Sequence, residues 1–154
     1  MTTSTTLRDT AGLNVLDKMK SLRRAQIFAY CTTEQLLKIA GIAQEVRFAA
    51  GEEIFRERDP GDALFQIVSG RVRLSKPAAD FEAVRTEDET FGTLAILDRS
   101  ERESNATAEE DTLALRIDAA EFLEVLAENP EIVQGLFSAL TREIRDYRYG
   151  YLRG

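Results

Sequence analysis

The feature that most constrains the fold is a central block, residues 44–117, in which short apolar segments alternate with turn residues. The run 59–62, Asp-Pro-Gly-Asp, is predicted to be a turn, because Pro presets φ and Gly accepts a positive φ. Residues 64–68 and 71–74, joined through Gly70, are predicted to form a hairpin. Further strands are predicted at 81–85 and 112–117. Many short strands at this spacing are typical of a sandwich, roll or barrel.

Helical patterns flank this block on both sides. Two short helices are predicted before it, and the second begins with Thr32 and Gln35 at the spacing of a capping box. Asp118 and Glu121 repeat that spacing after the block, and Asn129-Pro130 suits the start of a last helix. That helix carries one apolar stripe at helical spacing: Val133, Leu136, Phe137, Leu140, Ile144 and Tyr147.

The sequence therefore predicts one domain preceded by a short tail. Residues 1–12 are expected to be a flexible N-terminus, and residues 13–154 to form the domain. Within it, helices are expected at 13–43, the block of strands at 44–117 and the C-terminal helices at 118–150.

Composition removes several function classes. The 154 residues include no His and a single Cys, Cys31, so the commonest metal ligand and general base are absent and no metal site is expected. The net charge is −7, and the segment 87–111 alone carries nine acidic and two basic residues. Direct nucleic-acid binding is not expected from such a chain, because it requires clustered cations. No apolar run approaches the ~20 residues of a membrane span and no secretory signal is evident, so a cytoplasmic location with no membrane partner is expected.

One segment has the parts of an anion-binding cradle. Gly92 precedes a short apolar stretch that suits one helical turn, and Arg102 follows ten residues later. A glycine that exposes backbone N–H groups, with a nearby Arg, can hold a phosphate.

The order of elements and several motifs resemble the cyclic-nucleotide-binding domain of catabolite-activator-type regulators, protein kinase A regulatory subunits and nucleotide-gated channels. The resemblance covers about residues 13–147. Its motifs are Ile27-Phe28, Phe48-Ala-Ala-Gly51-Glu-Glu-Ile54-Phe55, Asp59-Pro-Gly61-Asp62, Leu64-Phe65-Gln-Ile67-Val-Ser-Gly70, Arg71-Val72, Phe91-Gly92 and Ile117-Asp118 ahead of Phe122. It implies a mainly β fold with flanking helices: a double-stranded β-helix, or jelly-roll-like β-roll, with N-terminal and C-terminal helices.

The resemblance also implies a phosphate-binding cassette at residues 91–108, here called the cassette, and cyclic AMP or cyclic GMP as the ligand. No other cofactor is implied. The expected ligand-binding residues are Phe91, Gly92, Thr93, Leu94, Ala95, Arg102, Glu103 and Ser104. The aromatic residues Tyr147, Tyr149 or Tyr151 of the last helix are candidates for a lid over the pocket, or for packing on the roll or on a second copy.

Two positions depart from the family pattern inside the cassette. The family has Glu directly after the glycine, to hold the ribose, where this chain has Thr93. It has a small residue directly after the Arg, where this chain has Glu103, although a shifted register would place Ser104 there. Replacing the carboxylate by a hydroxyl weakens ribose binding by about 1–3 kcal/mol. Glu103 would repel a phosphate, or else pair with Arg102 and occupy it.

The leading hypothesis is a non-enzymatic sensor or regulatory module that signals through its last helix, with doubtful cyclic AMP or cyclic GMP binding. The alternative is a degenerate domain that acts only as a structural or protein-interaction module, through its acidic surface or its C-terminal helix. Activator-type relatives attach a helix-turn-helix domain after that helix. The residues between the last helix and Gly154 leave no room for one, so a DNA-binding domain is not expected. A homodimer through the last helix is a further candidate, because the stripe continues towards Tyr151 and Leu152.

Overall fold

The computed structural model describes residues 12–153, with side chains up to residue 150. The predicted flexible tail, residues 1–12, lies outside this range except for Gly12. Helix α1 spans Val15–Arg23, a 3-10 turn spans Gln26–Phe28, and helix α2 spans Thr33–Ile42. The capping box predicted for α2 is confirmed, since Thr32 and Gln35 each accept the other's backbone N–H at 3.2 and 3.0 Å.

Two four-stranded antiparallel sheets form the centre of the described chain. Their strands are β1 Ala43–Phe48, β2 Glu53–Phe55, β3 Ala63–Ser69, β4 Val72–Lys76, β5 Phe81–Arg85, β6 Thr90–Phe91, β7 Asn105–Ala108 and β8 Thr112–Asp118. The first sheet has the order β1-β8-β3-β6 and the second has the order β2-β7-β4-β5. The predicted β-roll with helices at both ends is therefore confirmed.

The predicted hairpin between residues 64–68 and 71–74 is wrong. Strand β3 pairs with β8 and β6, whereas β4 pairs with β5 and β7 in the other sheet. Gly70, at φ 112°, carries the chain from one sheet to the other. A Cβ on Gly70 would lie 2.4 Å from Thr112 Oγ1, so this crossing requires glycine. A short turn with Gly has the same local sequence whether the chain returns within one sheet or crosses to the other sheet. The sequence therefore did not distinguish the hairpin from the crossing.

The described residues form two hydrophobic clusters, and β3 contributes to both. Phe65 and Ile67 point between the sheets, into the inner cluster of the roll. Leu64, which directly precedes Phe65, points to the outer face of the same sheet, where the helices pack. Because both faces of β3 are covered, its sequence is a nearly continuous apolar run rather than an alternating one.

The C-terminal helices are α4, Ala119–Glu128, and α5, Pro130–Arg153. Asp118 caps α4 by accepting the Glu121 N–H at 3.0 Å. The first half of α5 is fixed to the outer cluster by the buried side chains of Ile132 and Leu136. A short five-residue helix, α3, spans Thr93–Leu97 within the roll; in chain order the helices are thus α1, α2, α3, α4 and α5.

Candidate functional site

The cassette is built where strand β6 turns into helix α3. Phe91 ends β6 and is buried between the sheets, and Gly92 caps α3 with φ 77°. A Cβ on Gly92 would lie 2.6 Å from Nη1 of Arg102. Glycine is therefore required here for two reasons: the left-handed backbone and the close approach of the guanidinium.

Arg102 is turned into the protein, and its side chain is held by three acceptors. It is only 3% exposed. Nη1 donates to the Gly92 carbonyl at 3.0 Å, and Nη2 donates to the Ala63 carbonyl at 2.6 Å and to Asp62 Oδ1 at 3.3 Å. The guanidinium carbon also lies 4.1 Å from the centre of the Phe55 ring, in a cation–π contact.

This arrangement corrects the expectation that Glu103 would pair with Arg102. The arginine is buried. The carboxylate that pairs with it is Asp62 rather than Glu103, whose side chain is exposed. Glu103 follows Arg102 directly in the chain, and the inward turn of the arginine leaves its neighbour on the outside.

The turn at 59–62 is packed against the cassette. Arg102 N–H donates to the Asp59 carbonyl at 2.8 Å, and the Arg102 carbonyl accepts from Arg58 N–H at 2.9 Å. A Cβ on Gly61 would lie 2.5 Å from the Cβ of Ala95, so the turn touches helix α3 directly. These contacts place the carboxylate of Asp62 beside the guanidinium.

Asp62 joins Arg102 to a second pair of charges on the surface. Its other oxygen lies 3.6 Å from Nη2 of Arg116, and Arg116 lies 3.8 Å from Asp118. Burial lowers the pKa of Arg102, and the nearby charge of Asp62 opposes that shift. An arginine keeps its charge in proteins despite such a shift, so Arg102 remains a cation that needs an anionic or carbonyl partner.

Two buried polar atoms of the cassette have no hydrogen-bond partner among the described residues. They are Oγ1 of Thr93 and Nε of Arg102. Thr93 occupies the position after the glycine, and its hydroxyl points into the protein. Leaving a buried polar group without a partner costs about 1–3 kcal/mol.

Aromatic rings occupy the interior of the roll next to Arg102. Phe65 and Phe91 are stacked with their centres 5.1 Å apart, and Phe55 lies 6.0 Å from Phe91. Phe48 meets Phe65 edge to face at 5.9 Å. The face of the cassette directed into the roll is therefore apolar except for Arg102 and Thr93.

The remaining predicted site residues lie at different depths. Ala95 is buried against the 59–62 turn, Leu94 is 55% exposed, and Ser104 is partly buried. The structure thus brings Phe91, Gly92, Thr93, Ala95 and Arg102 together, whereas Leu94 and Glu103 face outward.

One candidate lid residue, Tyr149, lies away from the cassette. Tyr149 lines a groove of about 600 Å³ between α5 and Tyr30, and none of the predicted cassette residues lines that groove. Tyr147 is 78% exposed. The side chain of Tyr151 is outside the described residues. The structure therefore does not bring Tyr149 to the cassette.

Asp62 and Phe55 are site residues that the sequence did not reveal. Asp62 was recognised only as part of a turn, and 40 positions separate it from Arg102. The sequence holds no signal for this pairing, because the need for an opposite partner arises from the burial of the arginine, which the structure alone shows.

Other kinds of site are absent from the described part of the chain. It contains no group of three or more Cys, Asp or Glu side chains arranged to hold a metal ion. None of the helices described is both long and apolar enough to cross a bilayer.

Comparison with known proteins points to one family. Residues 45–129 match the cyclic nucleotide-binding domain. The CRP-like cAMP-activated global transcriptional regulator of Mycobacterium tuberculosis is 31% identical over 128 residues, which cover 80% of this chain and 57% of that protein. The cyclic AMP receptor protein of Thermus thermophilus is 31% identical over 103 residues, covering 64% of this chain and 48% of that protein.

A solved structure of similar sequence has a similar fold. The N-terminal domain of a transcriptional regulator from Streptomyces coelicolor superimposes with a TM-score of 0.72 at 29% identity, covering 85% of this chain and 94% of that one. The chain spans about half of the length of the curated relatives that it matches.

Proposed function

The chain belongs to the cyclic nucleotide-binding domain family, and on that premise we propose that it is a non-enzymatic regulatory module whose cassette has little affinity for cyclic AMP or cyclic GMP. The observation that carries the proposal is the position of Arg102. Its guanidinium is buried and already bound to Asp62 and to the carbonyls of Gly92 and Ala63.

A phosphate would have to compete with these contacts. A hydrogen bond to a charged group contributes about 1.5–3 kcal/mol, so giving up even one of them without replacement weakens binding by roughly tenfold to a hundredfold. Asp62 adds a negative charge at the same point, 3.3 Å from Nη2. The phosphate and this carboxylate would repel each other across the guanidinium that they share.

The two departures from the family pattern act in the same direction. Thr93 presents a hydroxyl where the family pattern has a carboxylate for the ribose, and Glu103 adds a charge directly beside the arginine in sequence. Glu103 is exposed and the Asp62 side chain is 70% exposed, so water screens both charges; the effect of Asp62 is larger because it lies 3.3 Å from Nη2 of Arg102.

A regulatory role, rather than catalysis, agrees with the chemistry of the cassette. Its buried polar groups are a guanidinium and a hydroxyl, and among the described residues the hydroxyl has no hydrogen-bond partner that could activate it. The relatives from Mycobacterium tuberculosis and Thermus thermophilus are named as cAMP-activated or cyclic AMP receptor proteins. A working cyclic AMP sensor is therefore the outcome against which the proposal must be tested.

The second candidate function is a protein-interaction module. The observation that favours it is the outer half of α5, where residues 141–150 are all exposed although they include Ile144, Tyr147 and Tyr149. The acidic segment 87–111 offers another surface, suited to a basic partner. Salt-sensitive binding to such a partner would support this function.

Calorimetric titration with cyclic AMP, cyclic GMP and cyclic dinucleotides tests the proposal. We expect no measurable heat from the wild type, and binding in a double variant, Thr93→Glu with Glu103→Ala, that restores the family pattern. Adding Asp62→Asn to the double variant should increase the affinity further, by about tenfold, because the competing charge is removed.

The matched control is Glu110→Ala, which removes one exposed carboxylate outside the candidate site. It should leave every titration unchanged. Tight binding by the wild type that Arg102→Ala abolishes, with circular dichroism showing that the variant is folded, would overturn the proposal and identify a working sensor.

A further inference from the structure

The first two helices of the described chain, α1 and α2, form an antiparallel helical hairpin. Arg23, at the end of α1, donates to Oγ1 of Thr33 at the start of α2. Lys18, nearer the start of α1, donates to the carbonyl of Ala43, directly after α2, at 2.7 Å. Buried leucines on the inner sides of both helices pack into the outer hydrophobic cluster. The opposite side of each helix is exposed.

The exposed side of the helical hairpin carries two leucines and a glycine. Leu16 on α1 and Leu37 on α2 are 54% and 36% exposed. Gly41 follows Leu37 by four residues, which places both on one face of α2. Because the helices are antiparallel, Leu16 lies at the same end of the hairpin as Gly41. We call the exposed residues Leu16, Lys20, Leu37 and Gly41 the hairpin face.

The packing of the described residues does not require a glycine at position 41. Gly41 lies inside α2, and a Cβ there would meet no described atom within 4 Å. Its φ is not positive, so the backbone conformation does not require glycine either. Apart from proline, glycine is the residue least favourable to the interior of a helix. The bare backbone at this point allows another chain to approach α2 closely.

The helical hairpin is a basic region in an acidic protein. Residues 12–42 carry five basic and two acidic side chains, whereas the whole chain has a net charge of −7. Arg24 pairs with Asp88 at 2.9 Å, and no other ion pair is made by these five cations among the described residues. Lys20, on the hairpin face, makes neither an ion pair nor a hydrogen bond there. This unneutralised positive charge favours an acidic partner.

The shape and chemistry of the hairpin face favour a protein helix. Two helices side by side form a groove along their length, into which the side chains of a third helix can pack. Exposed leucines do not contribute to the phosphate contacts that bind a nucleic acid. A lipid surface gains nothing from the missing side chain of Gly41, because such binding increases with the apolar area that is buried. A helix uses both features.

We propose that the hairpin face is a docking site for an acidic amphipathic helix of another protein, with Leu16 and Leu37 as apolar anchors and Lys20 as the partner of a carboxylate. This inference goes beyond the proposed function, and it uses neither the acidic segment 87–111 nor α5. It does not depend on nucleotide binding, because the hairpin face contains no cassette residue.

A synthetic peptide tests the chemistry of the site on the full chain. The probe is a fluorescein-labelled helical peptide of about 18 residues made of Leu, Ala and Glu, with Leu at helical spacing. Its matched control has Lys in place of each Glu. Fluorescence anisotropy should show saturable, salt-sensitive binding of the acidic peptide and no binding of the basic one. In NMR spectra, the amide signals of Leu37 and Gly41 should shift, whereas those of residues 141–150 should not.

Two substitutions in the hairpin face should each weaken binding of the acidic peptide by about tenfold. Gly41→Leu fills the space that the partner helix needs, and Lys20→Glu reverses the charge that attracts it. Both positions are exposed, and leucine favours a helix more than glycine does, so circular dichroism should show both variants folded. Thr141→Leu, which adds the same side chain at an exposed position of α5, is the matched control and should bind as the wild type does.

The inference is wrong if the acidic peptide does not bind, if both peptides bind equally, or if Gly41→Leu binds as tightly as the wild type. Phosphatidylserine vesicles or a DNA duplex that bind the wild type but not Lys20→Glu would identify a different occupant and overturn it. Self-association that Gly41→Leu abolishes would overturn it in favour of a second copy. The cassette variant Thr93→Glu with Glu103→Ala should bind the peptide normally, so the two proposals can fail separately.

Discussion

Arg102 and Gly92 act as a single unit in the cassette. The guanidinium can reach the Gly92 carbonyl only because no Cβ stands at position 92, where it would lie 2.6 Å from Nη1. The free-energy cost of burying the arginine is offset by hydrogen bonds to Asp62 and to two carbonyl oxygens. Nη1 and Nη2 donate these bonds, whereas Nε has no partner among the described residues. The identity of residue 92 therefore determines whether the arginine can be buried.

Gly92→Ala should destabilise the protein by about 3 kcal/mol. The new methyl group would occupy the space of the guanidinium, and alanine would have to adopt φ 77°. Urea unfolding followed by circular dichroism measures the change in the free energy of unfolding.

Gly41→Ala is the matched control for that substitution. Gly41 lies inside α2, and a Cβ there would meet no atom within 4 Å. We expect this variant to be more stable than the wild type by about 0.5–1 kcal/mol, because alanine favours a helix. Equal effects at the two glycines would contradict the close approach described for Gly92.

At the level of elements, the ends of the helices follow local rules, whereas the pairing of the strands does not. Thr32 caps α2 and Asp118 caps α4 at the positions that the sequence predicted. The two-residue strand β6 and the strand β7 carried no recognisable pattern of their own. They are strands because β3 and β4 lie beside them and complete their hydrogen bonds.

Asp118→Ala should lower the free energy of unfolding by about 1 kcal/mol, because α4 loses its N-cap. Asp118→Asn removes the charge but keeps an acceptor for the Glu121 N–H, so it should stay within about 0.5 kcal/mol of the wild type. Thermal or urea unfolding of the two variants checks the difference. If the asparagine variant were as unstable as the alanine variant, the ion pair with Arg116 and not the cap would be the stabilising contact.

At the scale of the whole molecule, the two hydrophobic clusters share strand β3. It presents one face to the helices and the other to the interior of the roll, and it is hydrogen-bonded to β8, whose Leu115 and Ile117 belong to the outer cluster. Loss of either cluster would expose the apolar residues of β3. The roll and its helices are therefore expected to unfold together.

Native-state hydrogen exchange measured by mass spectrometry can check this expectation. The slowest amides of the first sheet, β1-β8-β3-β6, and of the second, β2-β7-β4-β5, should report the same free energy of opening. Amides of residues 141–150 provide an internal reference and should exchange faster when the chain is monomeric. A second sheet that opens at clearly lower free energy would mean that the two clusters are separate folding units.

The sequence by itself determined the class of fold, most strand positions, the helix caps and the segment that forms the cassette. These features depend on periodicity, on turn residues and on side chains that act within a few positions of one another. The family resemblance was equally local, since it rested on short motifs such as Phe91-Gly92 and the 59–62 turn.

Only the tertiary structure decided that Gly70 joins two sheets, that Arg102 points inward, and that Asp62 rather than Glu103 holds it. It also separated Tyr149 from the cassette. The physical reason is the same in each case: these outcomes depend on contacts between segments far apart in sequence, and their energies come from burial, which a local pattern does not encode.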